Sequence, residues 1–294
     1  MNELPQRLRQ WKQAGEFFDS DGVRLFYQFD ESAGPERDVL VLFHGFPTSS
    51  WDWHAVLPAL NQRWRTLVFD FPGYGLSDKP PGFSYSLLRQ FDAAQALIQH
   101  LGIHEFDLLA HDMGNSVACE LLYRREKGNL PFTLRSLTLL NGGVYMDLHR
   151  PLITQRMLRT PVLGAMTARL SSWRMFRHQY PKVYAQPEHF DESHYEEQWS
   201  LMQHNHGRRT LAAVAGYMRE RVKMGDRWLG PLHRLDLPFR LLWGKQDPIA
   251  VYAIALRLVA NNPKAQLNTL EGVGHYPQLE APQLVTELIH LAST

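Results

Sequence analysis

Four short stretches of the chain hold side chains able to do covalent chemistry. The apolar run 106–110 leads into His111-Asp112-Met113-Gly114, after which 114–127 reads as a helix. A sharp strand-to-helix turn of this kind exposes one side chain at a sheet's end, beside the positive end of a helix. Here that side chain is the carboxylate of Asp112. A lone D-x-G equally describes an ordinary helix N-cap, so the other three stretches decide the matter. Leu42-Phe43-His44-Gly45-Phe46-Pro47 follows an earlier apolar run, where a turn can aim backbone N–H groups at a developing oxyanion. Leu242-Trp243-Gly244-Lys245-Gln246-Asp247 puts a carboxylate just past a late run, and Gly272-Val273-Gly274-His275-Tyr276-Pro277 puts a histidine past the last one. Nucleophile, acid and histidine therefore follow in that order, each in a loop after a strand-like run.

A carboxylate with an ordinary pKa of ~4 is ionised at neutral pH and attacks without a base. On an ester carbonyl it would form a mixed anhydride, a poor route to hydrolysis. On a saturated carbon bearing a leaving group it forms a stable alkyl ester, which a histidine can then hydrolyse by activating water. The triad expected from the residues is Asp112, His275 and Asp247. Asn141 also ends a strand-like run, but an amide cannot serve as the acid.

Positioning such a set requires a sheet. Apolar runs at 39–43, 66–69, 106–110, 134–140, 239–243 and 266–270 alternate with helical stretches at 50–60, 86–101, 114–127, 248–260 and 282–291. Short runs apolar on both faces, linked by helices, predict a mostly parallel α/β sheet. Ahead of them, 16–19 and 23–29 flank Ser20-Asp21-Gly22 as a hairpin, and Leu4, Leu8 and Trp11 predict a small amphipathic helix on the domain edge. The alternation breaks between 144 and 230, where helices and loops hold seven of the nine methionines and 13 basic against 8 acidic residues. This predicts a core domain of 1–143 and 231–294 with a helical lid inserted at 144–230, its adaptable side chains covering an apolar pocket.

Composition narrows the function. A net charge of +1 over 294 residues gives no basic field for nucleic acid, and a single cysteine, Cys119, excludes a disulfide framework or a multi-thiolate metal site. No apolar run is long enough for a transmembrane helix, and the first 13 residues lack the apolar core of a signal peptide, so a cytoplasmic protein is expected. There is no Walker phosphate loop and no H-E-x-x-H, and Gly73-Tyr74-Gly75 is too short for a dinucleotide fingerprint. His194, His204 and His206 are irregularly spaced and read as lid-surface residues. No cofactor or metal is expected; the partner is a small apolar substrate.

Over nearly its full length the chain resembles the α/β-hydrolase superfamily, with the Asp112 elbow and His44-Gly45-Phe46-Pro47 similar to its epoxide hydrolase and haloalkane dehalogenase branch. Within that branch HGFPTSSWDW (44–53), SDKP (77–80), ELLYR (120–124), NGG with HRPL (141–143, 149–152) and HYPQLE (275–280) resemble the mesoderm-specific transcript proteins of animals. The resemblance implies an α/β-hydrolase fold, an oxyanion hole made by the backbone N–H groups of Phe46 and Met113, and substrate contacts from His44 and lid tyrosines. Tyr217 resembles one such tyrosine, with Tyr180 and Tyr184 as alternative partners. Dehalogenases of the branch usually hold halide with a tryptophan after the nucleophile and often an asparagine in the oxyanion turn; here Met113 and Phe46 stand there. Epoxide opening is therefore the leading expectation. Haloalkane dehalogenation and a non-catalytic binding or signalling role are the alternatives.

Overall fold

The apolar runs pair into one sheet. In a computed structural model, which describes residues 3–291, the strands are β1 (Glu16–Ser20), β2 (Val23–Asp30), β3 (Val39–Phe43), β4 (Arg65–Phe69), β5 (Glu105–His111), β6 (Thr133–Leu140), β7 (Phe239–Gly244) and β8 (Ala265–Leu270). Their spatial order is β1-β2-β4-β3-β5-β6-β7-β8. Strand β2 runs antiparallel to both its neighbours, while β4, β3 and β5 to β8 are parallel. Every residue of β3 is buried, as a strand covered on both faces requires.

Helices α1 (Gln6–Gln13), α2 (Leu57–Leu60), α3 (Leu87–His100) and α4 (Met113–Glu126) precede the alternation break. After it come α12 (Ala253–Asn261), α13 (Pro277–Glu280) and α14 (Pro282–His290), three of the set that flank the sheet. Two expected helices are shorter than their pattern suggests. Residues 50–60 split into a 3₁₀ turn, Ser50–Trp53, and the brief α2, because Asp70 takes both the N–H and the hydroxyl of Ser50. The helix expected from 248 begins only at Ala253; residues 248–252 form bends and a turn, with the N–H groups of Ile249 and Ala250 held by the Asp247 carboxylate.

Between β6 and β7 there are only helices: α5 (Ile153–Leu158), α6 (Pro161–Leu170), α7 (Trp173–Gln179), α8 (Glu192–Gln203), α9 (Gly207–Val214), α10 (Tyr217–Lys223) and α11 (Gly225–His233), with three 3₁₀ turns. The expected boundary at 230/231 falls inside α11, which carries Pro231 in its second turn and packs on α4. Among the described residues no helix is long and apolar enough to cross a membrane.

One buried side chain ties this segment to the core. Glu120 of α4 accepts from Arg227 (2.7 and 2.8 Å), from Arg124 (2.9 Å) and from the indole N–H of Trp228 (2.9 Å). Replacing Glu120 by alanine strands the buried Trp228 donor, and a lost hydrogen bond to a charged group costs roughly 1.5–3 kcal/mol. Urea unfolding of Glu120→Ala is expected to show a loss of that size, with Glu120→Gln intermediate.

Candidate active site

Asp112 sits where β5 ends and α4 begins, with φ 45° and ψ −106°. A non-glycine residue in this region is strained, and the packing shows what enforces it. The N–H of Asp112 donates to the Asn141 carbonyl (3.1 Å), and α4 approaches β3 so closely that a Cβ at Gly114 would lie 2.5 Å from the Phe43 carbonyl oxygen. Gly45 is held as tightly: a Cβ there would sit 2.9 Å from that of Asp112.

Asp112 is 2% exposed, and each oxygen of its carboxylate has a neighbour. Its Oδ2 accepts from the Phe46 N–H (3.0 Å), and its Oδ1 lies 3.6 Å from Nη2 of Arg221. Burial alone would raise its pKa, but Arg221, His275 and the Phe46 N–H together hold it below the usual carboxylate value. Met113 opens α4, where first-turn N–H groups have no partner within the helix. Its side chain turns away to accept the Tyr74 hydroxyl.

His275 donates Nδ1–H to Asp247 Oδ2 at 2.7 Å. Burial pulls its pKa down, but the carboxylates of Asp247 and Asp112 outweigh that and raise it to about 9. Both anions favour its protonated form. Asp247 is buried as well; against that burial, His275, the N–H groups of Ile249 and Ala250, and the amide of Asn141 (2.8 Å) keep it ionised. The triad expected from the sequence is thus brought together, and Asn141 is its brace: it also donates to the Gly244 carbonyl and accepts the Gly244 N–H.

The expected substrate residues divide. Tyr180 lines the same cavity as His275, Tyr276 and Phe46, and its buried hydroxyl makes no hydrogen bond of standard geometry. Tyr217 packs 5.5 Å from the Phe46 ring and under the Arg221 guanidinium. Burial and the nearby Asp112 carboxylate both push its hydroxyl's pKa up. Tyr184 is committed elsewhere, its hydroxyl bonded to His194 Nε2 at 2.8 Å. This also corrects the surface reading of His194, which is buried. His44 is buried and does not line that cavity. Its Nδ1–H donates to the Gly45 carbonyl and its Nε2 accepts the Phe71 N–H, so both ring nitrogens fix the oxyanion turn.

Two groups escaped the sequence reading. Arg221, 3% exposed, reaches from α10 to the Asp112 carbonyl (2.9 Å) and the Ser116 hydroxyl (2.5 Å). Only its place one helical turn after Tyr217 hinted at it. Asp52, within the WDW of the 44–53 motif, is wholly buried between Thr48 and Gln198, and burial raises its carboxyl's pKa to about 8. The arrangement offers an ionised carboxylate, a buried imidazole, an N–H already in place for an oxyanion, and phenolic donors; of these groups Phe46, His275 and Tyr180 line the cavity.

The family model described as alpha/beta hydrolase fold matches residues 38–282. The mesoderm-specific transcript protein of Mus musculus is 35% identical over 287 residues, 95% of this chain and 86% of that protein. The hydrolase-named LipZ of Mycobacterium tuberculosis is 36% identical over 282 residues, covering 95% and 96%. Among solved structures, haloalkane dehalogenase DbeA from Bradyrhizobium elkani aligns with a TM-score of 0.79 over 95% of this chain and 97% of its own; at 21% identity that likeness is one of fold. The chain, from its hairpin and parallel sheet to its strand-end loops, belongs to the alpha/beta hydrolase fold family.

Proposed function

We propose that this hydrolase opens epoxides through a covalent ester on Asp112. The observation that carries the reading is the buried, ionised Asp112 on its strained turn, one oxygen already on the Phe46 N–H, beside the His275–Asp247 pair. In this reading Oδ1 attacks a ring carbon, the C–O bond breaks, and the ring oxygen takes a proton. That proton comes from the phenols of Tyr217 and Tyr180, which regain it from the His275 imidazolium. Esterification removes the charge of Asp112, one of the influences that raise His275 to about 9. The imidazole is left neutral and ready as a base. It takes a proton from water, the hydroxide adds to the Asp112 carbonyl carbon, and the N–H groups of Phe46 and Met113 hold the oxyanion. Collapse releases the diol and restores carboxylate and imidazolium, so the proton count closes.

Halide release is the rival reading, favoured by the fold likeness to dehalogenases. Against it, Met113 sends its side chain to Tyr74, and Phe46 packs its ring on Tyr74 and Tyr217. Neither carries a side-chain N–H to replace the hydrogen bonds a halide loses on leaving water.

His275→Gln is expected to slow turnover by about 10²–10⁴-fold while Asp112 still becomes alkylated, so that mass spectrometry of the variant with an epoxide panel finds the accumulated adduct. Asp112→Ala forms none and keeps its fold. Wild-type turnover by His275→Gln overturns the assignment.

Tyr217→Phe and Tyr180→Phe should slow alkylation by an epoxide by about 10²-fold and leave alkylation by a bromoalkane nearly unchanged in single-turnover measurements. Equal slowing, or bromide release without epoxide turnover, reverses the preference.

Asp112→Asn imitates the neutral ester. In that variant the imidazole titration of His275, followed by NMR, should have its midpoint well below the wild-type value of about 9. A midpoint that does not move would mean that Asp112 does not govern the proton on His275.

A further inference from the structure

The outer face of the inserted segment is apolar where nothing in the fold requires it. Val162, Leu163, Met166 and Leu170 of α6 are exposed, Val162 at 78% and Leu170 at 72%, and Ile153 of α5 adds a fifth at 71%. At 3.6 residues per turn the four on α6 fall within about 100° of one another around the axis, a continuous stripe rather than scattered singles. Contiguous exposed apolar surface of this kind marks an interaction site.

Charge says what the site meets. From residue 148 through 187 the chain has seven lysines and arginines and no aspartate or glutamate. Of these seven, only Arg177 pairs with an acid, Glu192, among the described residues. Arg156, Arg169 and Arg174 are exposed beside or within the apolar helices, and Arg209 and Arg219 share a surface recess with Thr160 and Arg169 at the edge of α6. An aliphatic stripe rimmed by arginines that pair with no acid matches the interface of an anionic bilayer, where apolar side chains enter the acyl boundary and cations meet headgroups.

The opposite faces of the same two helices supply the cavity with Leu152, Gln155, Leu158 and Thr167. We propose that α5 and α6 dock this protein on the surface of an anionic lipid bilayer. Docking sets the cavity wall directly on the bilayer, so that apolar molecules dissolved in lipid are the substrates at hand. The inference does not depend on the epoxide reading, and its test needs no turnover.

The test is sedimentation of the full chain with vesicles of phosphatidylcholine alone and of phosphatidylcholine mixed equally with phosphatidylglycerol. The protein is expected to sediment with the mixed vesicles and not with the neutral ones. Val162→Asp/Leu170→Asp, at exposed positions, abolishes sedimentation with an unchanged thermal unfolding transition. Arg169→Gln/Arg209→Gln weakens it about 30-fold, by losing two surface cations, and added salt mimics the loss. No sedimentation with mixed vesicles, equal sedimentation with neutral ones, or unaltered sedimentation of the aspartate variant overturns the proposal. So does concentration-dependent dimerisation that the aspartates abolish without any vesicle binding, since the face would then be covered by a second copy.

Discussion

Asp112 and Asp247 are two carboxylates buried around one imidazole, and an isolated buried charge costs several kcal/mol. The fold answers each with a set of donors. Asp112 has the Phe46 N–H and the Arg221 guanidinium; Asp247 has two backbone N–H groups, the amide of Asn141 and the His275 Nδ1–H. The imidazole responds by holding its proton. With two anions, an imidazolium and a guanidinium, the cluster is neutral overall and ionic in each part. Its pH dependence follows. The raised His275 contributes stability below its unfolded pKa of ~6.5 that is lost as pH climbs through about 9. The lowered Asp112 and Asp247 contribute above their unfolded value of ~4 and lose it in acid.

That electrostatic demand makes the inserted segment part of the site rather than a cover over it. Arg221 comes from α10, and without it Asp112 would keep one N–H and one imidazolium. The same helix brings Tyr217 beneath the guanidinium. Helix α11 then anchors the arrangement through Arg227 and Trp228 on Glu120, a residue of the helix that Asp112 itself begins. Elbow, guanidinium and phenol are thereby referred to one rigid element. The outer face of α5 and α6 has no such duty, and there the side chains are free to be apolar and cationic.

Much of this was legible in the chain. The run 39–43 is apolar throughout, and 106–110 and 239–243 are apolar but for Asp107 and Arg240 near their starts, as strands covered on both faces require, and each leads into a loop that carries a residue of the site. Asp112, Asp247 and His275 were legible because chemistry confines them to strand-end loops, and such loops announce themselves by glycine, proline and the end of an apolar run. Helix starts were less legible. The apolar spacing from 248 promised a helix, but residues 248–252 form a turn on the Asp247 carboxylate and the helix begins at Ala253.

What the chain could not disclose is which polar groups share a burial site. Asn141 reads as a failed acid, and becomes a brace only when β6 lies beside β7. His194 reads as a surface residue until Tyr184 meets it inside the insertion, and His44 reads as a substrate contact until Gly45 and Phe71 claim both its nitrogens. Arg221 stands 109 positions from Asp112, with no local pattern joining them. Periodicity and turn chemistry are local properties and determined the sheet, the order of the loops and the carboxylate at the strand-to-helix turn. Desolvation acts on whatever is brought within a few ångströms, and so only the tertiary structure decided the charge state of His275, the partner of each carboxylate and which tyrosine keeps a free hydroxyl.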